Sequence, residues 1–172
     1  MNPPPQPTLF YFCSQKKEKA CFEIFPSKTT HPKHSYTLEQ LPSELTKDYE
    51  FKKKIGQGVY CYVFQVLDKM DKTIKAIKLY KDPINEEEEE KEMRELSILA
   101  QLSHPNIIRY YQSRVCNETH KIWILLELCD MSIEEYVKKI SPMDEEKKIN
   151  IFKQICKALN YLHNGNELKV LL

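Results

Sequence analysis

Ile55-Gly56-Gln57-Gly58-Val59-Tyr60-Cys61-Tyr62-Val63, followed by Ile74-Lys75-Ala76-Ile77-Lys78, pairs a glycine-bearing turn with an apolar strand that ends on a lysine. The chain has only three glycines, and Gly56 and Gly58 stand one residue apart here. Without a Cβ, such a pair lets main-chain N–H groups lie close over phosphates. A lysine facing the same cleft can neutralise phosphate charge. This combination is the mark of a nucleotide site. Tyr49, Phe51 and Ile55 lead into the turn, and Tyr62 to Leu67 is rich in aromatic and β-branched residues. Asp68-Lys69-Met70-Asp71-Lys72 is a polar turn, and Thr73 to Leu79 is the next strand, so three antiparallel strands are expected.

Period-two alternation puts Ile74, Ala76 and Lys78 on one face of that strand. The small Ala76 leaves a flat surface beside Lys78, suited to an aromatic base. Taken alone, Lys78 suits two roles, a phosphate contact or a gatekeeper charge on an edge strand. A helix is expected from Asn85 to Leu102. Its wheel places Glu95 among Ile98, Leu99 and Leu102, within the apolar arc. A carboxylate there either finds a cation, for which Lys78 is the candidate, or snorkels to water. Glu86 to Glu90 fill the first turns, where negative charge suits the helix dipole.

Further on, Ile107 to Gln112 and Ile122 to Leu128 read as a strand pair around a polar turn at Asn117-Glu118-Thr119. A short helix is expected over Ser132 to Lys139. A longer one is expected from Ser141, with Pro142 at its first position and Asp144 completing a capping arrangement, to a stop at Asn164-Gly165. The fold class is α+β.

Composition excludes some functions. With 26 basic and 25 acidic residues, no global field steers nucleic acid or an anionic membrane. No apolar run reaches the roughly 18 residues of a membrane span, and the proline-rich start lacks a secretory core. The six cysteines show no CxxC or zinc spacing. A reduced, intracellular and cytoplasmic protein is expected. Residues 1–48, opened by Pro3, Pro4, Pro5 and Pro7, read as a mostly disordered extension. Within it, Leu9 to Cys13 and Cys21 to Phe25 are apolar patches able to pair as a hairpin.

Gly56-x-Gly58-x-x-Cys61-x-Val63, Lys75-Ala76-Ile77-Lys78 and a helical Glu95 together resemble the small lobe of a eukaryotic protein kinase. His104-Pro105-Asn106-Ile107-Ile108 is similar to the turn that follows that family's αC helix. Ile122 to Cys129 resembles its fifth strand and hinge, with Leu126 at the gatekeeper position. Lys153-Gln154-Ile155 and Leu159-x-Tyr161-Leu162-His163 resemble its αE helix. The resemblance implies a small lobe and hinge over residues 49–129, with a five-stranded antiparallel sheet and a helix. It implies the start of a large lobe over 130–172.

It also implies ATP as ligand. Ile55, Gly56, Gln57 and Gly58 would cover the phosphates, and Val63 and Ala76 would sandwich adenine beside Leu126. The backbone of Glu127 and Cys129 would take the base's edge. Lys78, held by Glu95, would contact the α- and β-phosphates. Cys61 replaces the family's third glycine, which stiffens the turn without closing it.

No His-Arg-Asp, Asp-Phe-Gly or Ala-Pro-Glu occurs in the sequence. The family's catalytic aspartate and Mg²⁺ ligands are therefore missing from these residues, and no residue is assigned to a metal. The resulting expectation is a kinase domain cut short before its catalytic loop, resembling serine/threonine kinases, inactive alone and weak or empty for ATP. The alternative expectation is a non-catalytic, pseudokinase-like interaction or decoy module. The last helix is apolar over about half its circumference, wider than the ~100° stripe of a surface helix. Its Ile151, Phe152, Ile155, Leu159 and Leu162 are accordingly expected to meet a protein partner.

Overall fold

The computed structural model describes residues 10–13, 19–22, 41–58 and 60–164. The elements are β1 (Phe10–Cys13), β2 (Lys19–Phe22), α1 (Ser43–Asp48), β3 (Tyr49–Gln57), β4 (Cys61–Asp68) and β5 (Ile74–Tyr80). They continue with α2 (Glu86–Gln101), β6 (Tyr110–Val115), β7 (Ile122–Glu127), β8 (Met131–Ser132), α3 (Ile133–Lys139) and α4 (Glu145–Asn164). The chain divides into two compact units. Of the described residues, one takes in 41–100 and 110–128, the other 10–13, 19–22, 101–109 and 129–164. No helix among the described residues is long and apolar enough to cross a membrane.

The first unit is a five-stranded antiparallel sheet in the order β3-β4-β5-β7-β6, the sheet that the resemblance implies. Residues opposite one another in an antiparallel pair share a face, so the register sorts the side chains into rows. Tyr62, Leu79 and Trp123 form one row, and Phe64, Ile77 and Leu125 the next. These are buried and, with Val66, Tyr49 and Cys116, make the unit's main apolar core. The expected strand at Ile107 starts only at Tyr110, because Ile107 is buried in the other unit's core.

Helix α1 lies just before Tyr49. Leu45 is 1% exposed and Leu41 packs beside it in the core of the sheet, so that core draws on residues assigned to the extension. Polar contacts to two turns fasten the helix. Ser43 donates its N–H (3.1 Å) and its hydroxyl to Glu118, and Asn117 N–H donates to Glu44 (3.1 Å). Lys69 Nζ donates to the Thr46 carbonyl at 2.7 Å. Two of these partners, Asn117 and Glu118, lie far from α1 in sequence, so no local periodicity announces the helix.

The core face also takes in a charge. Lys75 shares the face of Ile77 and Leu79 and is 6% exposed. Its ammonium lies 2.7 Å from Asp68 and 2.6 Å from Asp71 at the two ends of the β4–β5 turn. It also sits 4.9 Å over the Tyr111 ring. The hydrogen bond from Lys75, with those from Thr73, holds the Asp71 carboxyl down at about 2. Burial opposes the charge of Lys75, but the bonds to Asp68 and Asp71 outweigh it and raise its pKa.

In the second unit, β1 and β2 pair antiparallel from Phe10↔Phe22 to Cys13↔Lys19, realising the hairpin that the two apolar patches allow. This part of the extension is structured. The rest of the expectation for residues 1–40 lies outside the described residues. Helix α3 has a full capping box, in which Ser132 accepts from Glu135 N–H at 3.1 Å and Glu135 accepts from Ser132 N–H at 2.9 Å. Helix α4 begins later than expected. Asp144 rather than Ser141 caps it, accepting from Lys147 N–H at 2.9 Å. Both residue types cap helices, and the structure uses the one adjacent to the first turn. The stop expected at Gly165 lies outside the described residues.

The apolar arc of α4 is divided rather than bare. Ala158 and Leu162 are buried with Ile107, and Leu102 and Tyr161 pack beside them. His104 stacks on Tyr161 at 5.0 Å, Ser103 N–H donates to the Tyr161 hydroxyl at 3.0 Å, and Asn106 Nδ2 donates to Gln154 at 2.8 Å. Leu162 therefore leaves the surface expected to meet a partner, and Ile151 and Ile155 are half-buried. Phe152 and Leu159 remain exposed, as does Ile149.

Candidate nucleotide site

The register gathers the glycine turn, the small strand residue and the lysine onto the sheet face opposite the apolar core. Gly56 lies opposite Val63, Val63 opposite Lys78, Lys78 opposite Ile124 and Ile124 opposite Ser113. The neighbouring row runs Gln65, Ala76, Leu126 and Tyr110. Ala76 and Leu126 are buried, whereas Val63 and Lys78 are half-buried. Alternation predicts that Ala76 and Lys78 share a face. Only the cross-strand register adds Gly56, Val63 and Leu126 to it.

Irregularities in β3 shape the turn. The β3–β4 register slips between Lys54 and Gly56, which leaves Ile55 as the extra residue of a bulge, 42% exposed. Bulges re-aim side chains and bend the strand. Gly58 N–H donates to the Cys61 carbonyl at 2.9 Å, and the Gly58 carbonyl accepts from Lys81 Nζ at 2.7 Å. Lys81 also sits 4.8 Å over the Tyr62 ring, anchoring the turn to the end of β5. No motif marks Lys81, so the sequence reading passes it over. Lys75 does leave a signal in the sequence: a lysine in phase with Ile77 and Leu79 on a buried face requires carboxylates.

Neither glycine in the turn has a positive φ. What they supply is space. A Cβ on Gly56 would come to 3.4 Å from Val63 Cβ, and one on Gly58 to 3.4 Å from Cys61 Sγ. Those are ordinary van der Waals contacts, so the chain's own packing does not demand glycine at either place. A glycine-bearing turn of this kind leaves main-chain N–H groups accessible, as a bound phosphate requires.

Helix α2 lies on the Lys78 side of the sheet. Ser113 belongs to the row of Lys78, and its hydroxyl meets Met93 Sδ of α2 at 4.0 Å. Leu96 of this helix is buried, 2% exposed. Glu95 is one residue away on the same helix, but its side chain lies outside the described residues, as does any Lys78–Glu95 distance. Glu127 and Leu128 close the first unit, and Cys129 opens the second. Among the described residues no cluster of three or more His, Cys, Asp or Glu could hold a metal ion.

Comparison with known proteins agrees with this arrangement of elements. The family model described as protein kinase domain matches residues 49–169. The serine/threonine-protein kinase dst1 of Dictyostelium discoideum is 30% identical over 129 residues, 74% of this chain and 17% of that protein. Calcium-dependent protein kinase 5 of Plasmodium falciparum (isolate 3D7) is 36% identical over 125 residues, 72% of this chain and 22% of that protein. The chain thus spans about a fifth of the length of these curated relatives. With a family match over most of its length and a sheet-and-helix unit of matching order, the chain belongs to the protein kinase domain family.

Proposed function

We propose that these residues form the ATP-binding part of a protein kinase that transfers the γ-phosphate to serine or threonine hydroxyls. The observation that carries the reading is the row Gly56, Val63, Lys78 beside Ala76 and Leu126, on the sheet face where α2 packs. In this reading Ile55, Gly56, Gln57 and Gly58 cover the phosphates, and Val63 and Ala76 enclose adenine beside Leu126. The backbone of Glu127 and Cys129 binds the edge of the base. Lys78 neutralises phosphate charge, and Glu95 holds Lys78. The serine/threonine direction is that of the named relatives. Mg²⁺ use belongs to the family. None of the residues in this reading is a metal ligand.

The test separates ligand from fold. Gly56→Ala adds a methyl group at ordinary contact distance, so the thermal unfolding of the variant is expected to stay within about 1 kcal/mol of the parent. Its ATP affinity is expected to fall about tenfold, because the methyl group occupies the space left for phosphate. For these 172 residues alone the parent affinity is expected to be weak, with a binding free energy of about −5 kcal/mol or weaker. Unchanged ATP binding by Gly56→Ala would remove the assignment of the turn. A double-mutant cycle of Lys78→Ala with Glu95→Gln checks the remaining pair, with an expected coupling above about 0.5 kcal/mol.

A further inference from the structure

β8 is only two residues long, Met131–Ser132. Strands in folded proteins run from about three residues upward, and shorter ones persist only beside a partner. The partner here is β1, which lies between β2 and β8, with Tyr11 opposite Ser132 and Phe12 opposite Met131. In an antiparallel ladder, opposed pairs alternate between exchanging both backbone hydrogen bonds and exchanging none. The Ser132 N–H is already donated to the Glu135 carboxylate within the capping box of α3. The pair that exchanges bonds is therefore Phe12 with Met131, and the Tyr11 N–H faces β2.

We propose that β1 and β2 are a strand module docked in cis, and that its pairing with Met131 holds in place both the chain segment after Cys129 and the N-cap of α3. Ser132 couples the two, since the same residue lies opposite Tyr11 and starts the capping box. The backbone of β1 runs beside α3, and that of β2 beside α4, so the module rests on this unit at more than one place. Met131 lies two residues beyond Cys129. Fixing it restrains the backbone that would take the edge of adenine, and this consequence rests on the nucleotide reading above. The mode is strand addition, in which main-chain bonds give affinity without demanding particular side chains.

Amide hydrogen exchange on the full chain, compared with Phe12→Pro and Tyr11→Pro, tests the proposal. Proline removes the N–H, and the two positions face opposite neighbours. Phe12→Pro is expected to lower protection of the Met131 amide about tenfold and to loosen the Glu135 amide with it. Tyr11→Pro is expected to act first on Cys21. The Ile77 and Leu79 amides, in the other unit, should keep their protection in both variants.

Unchanged protection at Met131 in Phe12→Pro overturns the docking. Protection that rises with protein concentration overturns docking in cis and favours exchange of the hairpin between two copies. Titration with ATP and magnesium is expected to show affinity about three- to tenfold weaker in Phe12→Pro. Lost protection with unchanged affinity keeps the docking and overturns its bearing on the nucleotide. A parent protein that binds no ATP at all overturns the nucleotide reading, and the Met131 amide still decides the docking.

Discussion

Replacing Lys75 by methionine is expected to lower the stability of the sheet unit by about 2–3 kcal/mol, read as a shift in the urea midpoint. Methionine keeps the length and packing of the stem but removes the ammonium from between Asp68 and Asp71. Removing one partner of a fully buried pair costs about 3–5 kcal/mol, because the other charge is left uncompensated. The Lys75 side chain is 8% exposed and that of Asp68 13%, but Asp71 is 47% exposed, so water recovers part of the loss.

The pH dependence gives a second readout. Asp68 and Asp71 have lowered pKa values in the folded chain, so their contribution is complete above the unfolded carboxylate range and is lost as pH falls. For Asp71 the loss runs from about pH 4 down through about 2. Lys75 is raised, so its contribution is present at neutral pH and is lost only above its usual value of 10.5. The parent should therefore lose stability in acid more steeply than Lys75→Met. Parallel acid curves for the two proteins would show that the ion pairs contribute nothing.

Lys78→Ala is expected to weaken ATP binding about ten- to a hundredfold, since a hydrogen bond to a charged group contributes about 1.5–3 kcal/mol. Lys78 sits in the row of Gly56 and Val63 and is only half-buried, so the fold should tolerate the change. Unaltered affinity would show that Lys78 does not meet phosphate. A polypeptide of these 172 residues alone is expected to transfer no phosphate to protein. Transfer works by positioning the hydroxyl and neutralising charge, and the motifs that do so in this family do not occur among these residues. Turnover that survives removal of contaminating kinases would contradict this.

What the sequence determined by itself is the local periodic order. Alternation set Ala76 and Lys78 on one face of β5. The polar turn at Asp68–Lys72 separated two strands, and a 3.6-residue pattern marked α2 and α4. The glycine pair located the turn, and the order of the motifs identified the family. These signals are legible because each arises within a few residues of chain.

The tertiary structure decided whatever depends on partners distant in sequence. Register between strands joined Gly56 and Leu126 to the lysine's face. The bulge at Ile55 needed β4 beside it. Lys75 became a core residue because the turn brought Asp68 and Asp71 to its ammonium, and Leu45 because α1 was fastened to Glu118 and Asn117. Met131 and Ser132 became a strand because β1 lies beside them. In each case the stabilising contact closes a loop in the chain, and loop closure leaves no periodic trace in the residues it joins.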